Sequence, residues 1–193
     1  MKIGTQLETD RLIIRHWTLS DQDREFFHFI NSDETVRQFY VTRMSREDTD
    51  RRLEDHVTTD SKSGLKWAVA CLKSTGQPVG HTGLGDVDYE TPFTPCIEVG
   101  WLFDPKFWGQ AFASEAGAAL LKHGFEDAGL EEIVAFAVIE NQASVAVMER
   151  IGMLKVEDGN FEHPGVPDTH AHLRPHVLYS LTEQAWLDQV QST

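Results

Sequence analysis

One carboxylate and one bare turn account for most of the chemistry this chain could perform. Glu98 sits in the run Ile97-Glu98-Val99-Gly100-Trp101-Leu102-Phe103, whose mostly period-two pattern reads as a strand. A carboxylate among apolar neighbours has its charged form disfavoured, which raises its pKa toward values useful to a general base. Just downstream Pro105 ends the strand, and Gly109, Ala111 and Ala113 leave the backbone uncovered where Ser114 and Glu115 open a helical pattern. Main-chain N–H groups at a helix N-terminus attract phosphate through hydrogen bonds and the helix dipole. Gly109, Gln110, Ala111, Phe112, Ala113 and Ser114 are therefore candidates to hold a phosphate-bearing cofactor beside an acid–base group on the strand. No P-loop lysine or Mg²⁺ ligand set accompanies the turn, which excludes a nucleotide hydrolase. Spacing alone leaves plainer roles open. A strand carboxylate can be solvated or ion-paired, and small residues also serve close packing.

The histidines offer other chemistry. His81, on the neighbouring strand, is a second candidate base, although a lone strand histidine is usually structural. His163, His170, His172 and His176 gather with Asp168 in one segment, in the manner of zinc ligands. That segment is rich in proline and glycine, whereas a catalytic zinc needs rigid supports, so no metal is expected. Cys71 and Cys96 both lie in strand-like runs and read as buried thiols of a reducing compartment.

The elements that must position these groups follow from periodicity and breakers. Strand patterns cover 11–17, 65–72, 79–87, 96–103, 131–139, 153–156 and 176–181. Helical patterns run from Ser20 or Asp21 to about 30, over 45–59, 114–128 and from Asn141 to Ile151, with a last one over 182–190. Residues 36–40 are apolar without a clear period, 61–64 read as a loop, and 158–175 as a long loop. Short links among the strands from 65 to 103 predict an antiparallel meander. The strand–helix–strand passage from 96 to 139 requires a crossover, so its two strands should be parallel neighbours. The expected fold class is a single mixed α/β (α+β) domain over 1–193, with a cleft where those strands part. The length of 193 residues, 40% hydrophobic and 25% charged, suits such a core. A net charge of −14 argues against a nucleic-acid partner and permits a cationic one. Neither a leader nor a membrane-length apolar run is evident, so a cytoplasmic protein with no membrane partner is expected.

Several stretches together resemble the GNAT N-acyltransferases, and within them the RimJ/RimL-like branch. Lys106-Phe107-Trp108-Gly109-Gln110-Ala111 is similar to the superfamily's Gln/Arg-x-x-Gly-x-Gly/Ala cofactor loop, with Lys106 replacing the usual first residue. Glu8-Thr9-Asp10-Arg11-Leu12-Ile13-Ile14-Arg15, Glu98-Val99-Gly100-Trp101, Ala113-Ser114-Glu115-Ala116, and Asn141-Gln142-Ala143-Ser144 with Val147 to Met153 resemble branch motifs in order. Ala111 stands where the branch usually has Gly.

The resemblance implies a GNAT fold: a central, mostly antiparallel sheet whose splayed parallel pair forms the acyl-CoA cleft. It also implies transfer of an acetyl group from acetyl-CoA, without a metal, to a primary amine. The acceptor would be a protein N-terminal α-amine or a small molecule such as a polyamine, an amino acid or an amine antibiotic, and a homodimer is left open. It gives Glu98 the role of base, direct or through water, and places Ser144 at the leaving sulfur. Trp101, Leu102 and Phe103 would pair with the pantetheine arm, which Asn141 would also bond. Phe161 and His163, with Phe39 and Tyr40, would shape the acceptor mouth. A non-catalytic acyl-CoA-binding module is the alternative, and it would need neither Glu98 nor Ser144.

Overall fold

The computed structural model describes residues 6–58 and 66–191. The expected loop over 61–64, the first residue of the strand expected over 65–72, and most of the leading segment read for a targeting signal lie outside them. One nine-stranded sheet forms the centre. β1 (Gln6–Glu8) and β2 (Leu12–Arg15) make a hairpin with Gln6 opposite Arg15. The single strand expected over 11–17 is thus shorter and gains a partner. The Thr9 amide donates to the Leu12 carbonyl and the Thr9 hydroxyl accepts from the Leu12 amide, which closes the turn between the two strands. β2 pairs with β3 (Ala68–Leu72), β3 with β4 (Pro78–Val87) and β4 with β5 (Cys96–Phe103), all antiparallel, which is the expected meander.

From β5 the chain crosses through α3 (Phe112–Glu126) to β6 (Glu132–Val138), parallel to β5. β6 pairs antiparallel with β9 (Pro175–Thr182), and β9 also carries β7 (Leu154–Lys155) and β8 (Phe161–Glu162). The stretch expected as one long loop therefore contains a short strand, and a 3₁₀ turn over Asp168–Leu173 as well. α3 buries Ala116, Leu120, Leu121 and Phe125 in the main core, together with Leu84, Val99 and Ile133 of the sheet. Residues at this helical spacing share one face, and that burial holds the crossover against the sheet.

Three more helices complete the fold: α1 (Asp21–Ser32), α2 (Arg46–Thr58) and α4 (Gln142–Arg150). A fifth, α5 (Glu183–Gln191), follows β9. Ser20 caps α1, its hydroxyl accepting from the Asp23 amide. Asp23 is itself buried and takes a two-pronged bond from Arg15, at 2.8 Å on each oxygen, plus bonds from the Thr18 amide and hydroxyl. Burial pushes the Asp23 carboxyl up, and the Arg15 and Thr18 donors outweigh it and hold the carboxyl below its ordinary value. α1 is thereby fixed to β2. α2, expected on the surface, buries only Thr49 and Leu53. Among the described residues no helix is long and apolar enough to cross a membrane.

Two features of the sheet prepare a site. First, β5 and β6 are in register at one pair only, Glu98 opposite Val134, and they part beyond it. Second, Trp67 does not belong to a strand as expected. It precedes β3 with a left-handed φ of 47°. Its indole stacks on His81 at 5.3 Å and lies across Gly85 and Gly100 of the neighbouring strands. A Cβ at Gly100 would approach the ring to 2.5 Å. Gly100→Ala should therefore destabilise the fold by about 1–3 kcal/mol through overpacking. The check is a urea midpoint, expected to fall; an unchanged midpoint would show that the ring is free to move.

Candidate active site

Past Glu98, the opening between β5 and β6 holds two adjoining chambers. One, of about 390 Å³, is walled by Glu98, Arg37, Tyr40, Trp67, His163 and His176. The other, of about 590 Å³, is walled by Trp108, Gly109, the start of α3, and Arg150. Phe39, Trp101, Leu102, Asn141 and Ser144 border both chambers and mark the waist between them. Strand β5 and the first turn of α4 thus bring the strand carboxylate and the bare turn to one cleft.

Glu98 is partly buried and opens onto the first chamber. Among the described residues its carboxylate has no hydrogen-bond or ion-pair partner. Burial raises it from the usual carboxylate range to about 8, the signature of a desolvated, uncompensated acid. The same setting raises the Tyr40 phenol, chiefly through burial. His163 and His176 are both pushed below the ordinary imidazole value by burial, so both are neutral at pH 7. Their rings lie 5.0 Å apart. Phe161 borders neither chamber; it packs edge-on to Phe136 at 5.5 Å and backs the wall that His163 and His176 form. His170 and His172 stack on each other in the 3₁₀ turn, and Asp168 pairs with Arg174 instead. Among the described residues no group of three or more His, Cys, Asp or Glu side chains is gathered as a metal would need.

His81 borders neither chamber. It lies in a ring cage of Trp17, Phe27, His56 and Trp67, and burial drives its imidazole well below the ordinary value. Its role as a second base is replaced by a structural one.

The second chamber centres on the N-terminus of α3. Ala111 caps the helix in a left-handed conformation, φ 63° and ψ 13°, with no capping side chain. The first helical amides accordingly have no acceptor within the helix. Gly109 precedes it with φ 72°, and nothing lies within 4 Å of where its Cβ would stand. Gln110 turns away, its amide donating to the Lys106 carbonyl at 3.1 Å. Ser114 is buried, and its hydroxyl accepts from Arg150 Nη1 at 3.0 Å. The helix start is anchored by Glu115, which accepts from the Thr9 hydroxyl and from the Arg11 amide and guanidinium. Burial raises Glu115, and these donors override it and lower the carboxyl. At the waist, Asn141 caps α4, its Oδ1 accepting from the Ser144 amide at 3.2 Å.

The family model for the GNAT acetyltransferase domain matches residues 11–154. The chain belongs to the GNAT acetyltransferases. It therefore moves an acetyl group from acetyl-CoA to an amine. A GNAT-family acetyltransferase structure from Bacillus anthracis is 29% identical, covers 93% of this chain and 99% of its own, and superposes with a TM-score of 0.73. The uncharacterized N-acetyltransferase YnaD of Bacillus subtilis is 29% identical over 147 residues, 76% of this chain and 81% of the relative. A ribosomal-protein-S5-alanine acetyltransferase structure from Vibrio fischeri, 19% identical over 95% of this chain and 99% of its own, shares the fold at a TM-score of 0.73.

The second chamber of this GNAT protein suits a coenzyme bearing a diphosphate. The uncapped amides of α3 and the Arg150 guanidinium, which has no carboxylate in ion-pair range among the described residues, can meet its negative charge. The parted edge of β5 offers main chain to an amide-bearing arm.

Sequence reasoning missed Arg37, Trp67, Phe136 and His176 as walls of the first chamber, and gave Arg150 no role. None carries a local signal, because turns and strands distant in the chain deliver them. Ala111 places a methyl where left-handed backbone is unfavourable, which costs about 1–2 kcal/mol for a residue other than glycine. Ala111→Gly should raise the thermal midpoint and stabilise the protein by about 1 kcal/mol. Calorimetric unfolding checks this, and a lower midpoint would show that the methyl contributes packing.

Proposed function

We propose that Glu98 is the general base of a direct acetyl transfer to a primary amine, within one domain over 1–193. The observation that carries this reading is the isolated Glu98 carboxyl, raised to about 8 by burial, on the acceptor side of the waist. Bound acetyl-CoA supplies the activated thioester carbonyl. In the proposed arrangement Gly109 and the main chain from Gln110 to Ser114 hold the diphosphate, and Arg150 adds positive charge. Trp101, Leu102 and Phe103 present strand backbone to the pantetheine arm, and Asn141 bonds it from the start of α4. Glu98 takes the proton that the amine sheds as its nitrogen bonds the acetyl carbon. The Ser144 hydroxyl donates a hydrogen bond to the sulfur as the carbon–sulfur bond breaks. Phe39, Tyr40 and His163 shape the acceptor side, with Phe161 supporting the last of these.

Direct transfer is supported by the cysteines. Cys71 is buried in β3 and Cys96 starts β5, and neither borders a chamber, so no thiol is placed to carry the acetyl group. The first chamber favours a small amine acceptor, since its volume of about 390 Å³ lies in the range of small-molecule sites. The protein N-terminus suggested by the RimL resemblance draws support from the Vibrio fischeri neighbour's name, but at 19% identity that neighbour shares only the fold.

The base reading fixes a pH dependence. A base acts in its ionised form, so kcat/KM should rise as pH increases through about 8. Glu98→Gln should lower kcat by about 10²–10⁴-fold and remove that step, leaving only the acceptor's own titration. Acetyl-CoA binding, followed by calorimetry, should persist, because Glu98 borders only the first chamber. Unchanged turnover in the variant would contradict the assignment.

A further inference from the structure

The first chamber has a positive pole as well as a carboxyl. Arg37 borders it, from the aperiodic segment between α1 and α2. Its guanidinium lies over the Tyr40 ring at 3.7 Å. Its Nε and Nη2 both donate to the Thr42 carbonyl, at 3.4 and 3.3 Å. The stacking and the two bonds fix the fork in place, and Nη1 is left without a hydrogen-bond partner among the described residues.

Among the described residues the same guanidinium also lacks a counter-charge. In a chain of net charge −14, most arginines find a carboxylate: Arg11, Arg15, Arg24, Arg43, Arg46, Arg51 and Arg174 all do. Arg37 does not, and Arg52 nearby adds positive charge. Burial lowers the Arg37 pKa, so the group is held partly desolvated without compensation. Tyr40 borders the same chamber as Arg37 and Glu98, and its phenol feels the charge of both. With both imidazoles neutral, Arg37 is the cation that the described residues bring to this chamber.

A desolvated, pre-oriented guanidinium with a free donor edge is built for a carboxylate. We propose that the acceptor is a small amino acid-type molecule carrying a carboxylate beside its amine, with Arg37 holding the carboxylate while the amine faces Glu98. This rests on the reading of the first chamber as the acceptor side. The acidic exterior favours a cationic acceptor, and the chamber itself selects for a zwitterion.

The test compares each common α-amino acid with its α-amide as acceptor, and each N-acetyl amino acid with its N-acetyl amide as calorimetric ligand. An alanine-leading octapeptide serves as the N-terminal substrate. Wild-type protein should use at least one free acid roughly tenfold or more better than its amide in kcat/KM, and bind the corresponding N-acetyl acid more tightly than the amide. Arg37→Gln should bring both ratios to about one, through KM and Kd, and Arg37→Lys, which keeps the charge but loses the fork, should lower them part of the way. Circular dichroism confirms that the variants are folded. Equal use and equal binding of acids and amides, binding of neither, or preference for the octapeptide would overturn the proposal. The binding arm does not require Glu98 to act as a base. Carboxylate-dependent binding in a protein whose turnover survives Glu98→Gln would therefore retain Arg37 and reject the base reading.

Discussion

The site depends on the parting of two parallel strands. β5 and β6 are in register at Glu98 and Val134 and separate beyond that pair. Had the ladder continued, Trp101, Leu102 and Phe103 would have spent their backbone groups on β6, and no cleft would exist. The separation is held from both sides. α3 buries Leu120, Leu121 and Phe125 beneath the sheet, and Glu115 ties the start of that helix to Thr9 and Arg11 of the opening hairpin. α4 enters the gap with Asn141 and Ser144 at its first turn. Glu98, the proposed base, sits at the paired position, so its carboxyl is both rigidly placed and poorly solvated.

Electrostatics inside the cleft run opposite to those outside. The chain carries a net charge of −14, yet the side chains facing the cavities include two guanidiniums with no carboxylate in range among the described residues, Arg37 and Arg150. Arg37, partly desolvated and without a carboxylate in range, is costly to fold around, and such a cation is retained where a ligand supplies the missing charge. Arg150 lies beside the uncapped start of α3, where phosphate is favoured. Arg37 lies across the waist, with the neutral imidazoles and the raised Glu98 carboxyl. In the proposed arrangement, acetyl transfer takes place between these poles.

What the sequence disclosed and what it hid divide along the range of the interactions. The strand at Glu98, the bare turn at Gly109 and the helix beginning at Asn141 are local patterns, and each lies where its residues placed it. The motif around Thr9 and Arg11 and the motif ending in Glu115 are distant in the chain, and the structure shows that they are two halves of one hydrogen-bonded joint. Trp67 was hidden because its left-handed backbone and its fit over Gly85 and Gly100 are tertiary facts. Arg37 was hidden because the 36–40 segment has no period; its meaning comes from the cavity it faces. The hairpin strand β1 was missed because three residues carry too little pattern.

The central claim is that the fold itself makes Glu98 a base by denying it water and partners. The most direct measurement is the titration of the Glu98 carboxyl carbon by ¹³C NMR in the free protein, assigned by comparison with Glu98→Gln. The account predicts a midpoint near the value of about 8 set by burial. A midpoint near the ordinary glutamate value of about 4.3 would mean that the carboxyl is solvated or paired in solution, and would contradict it.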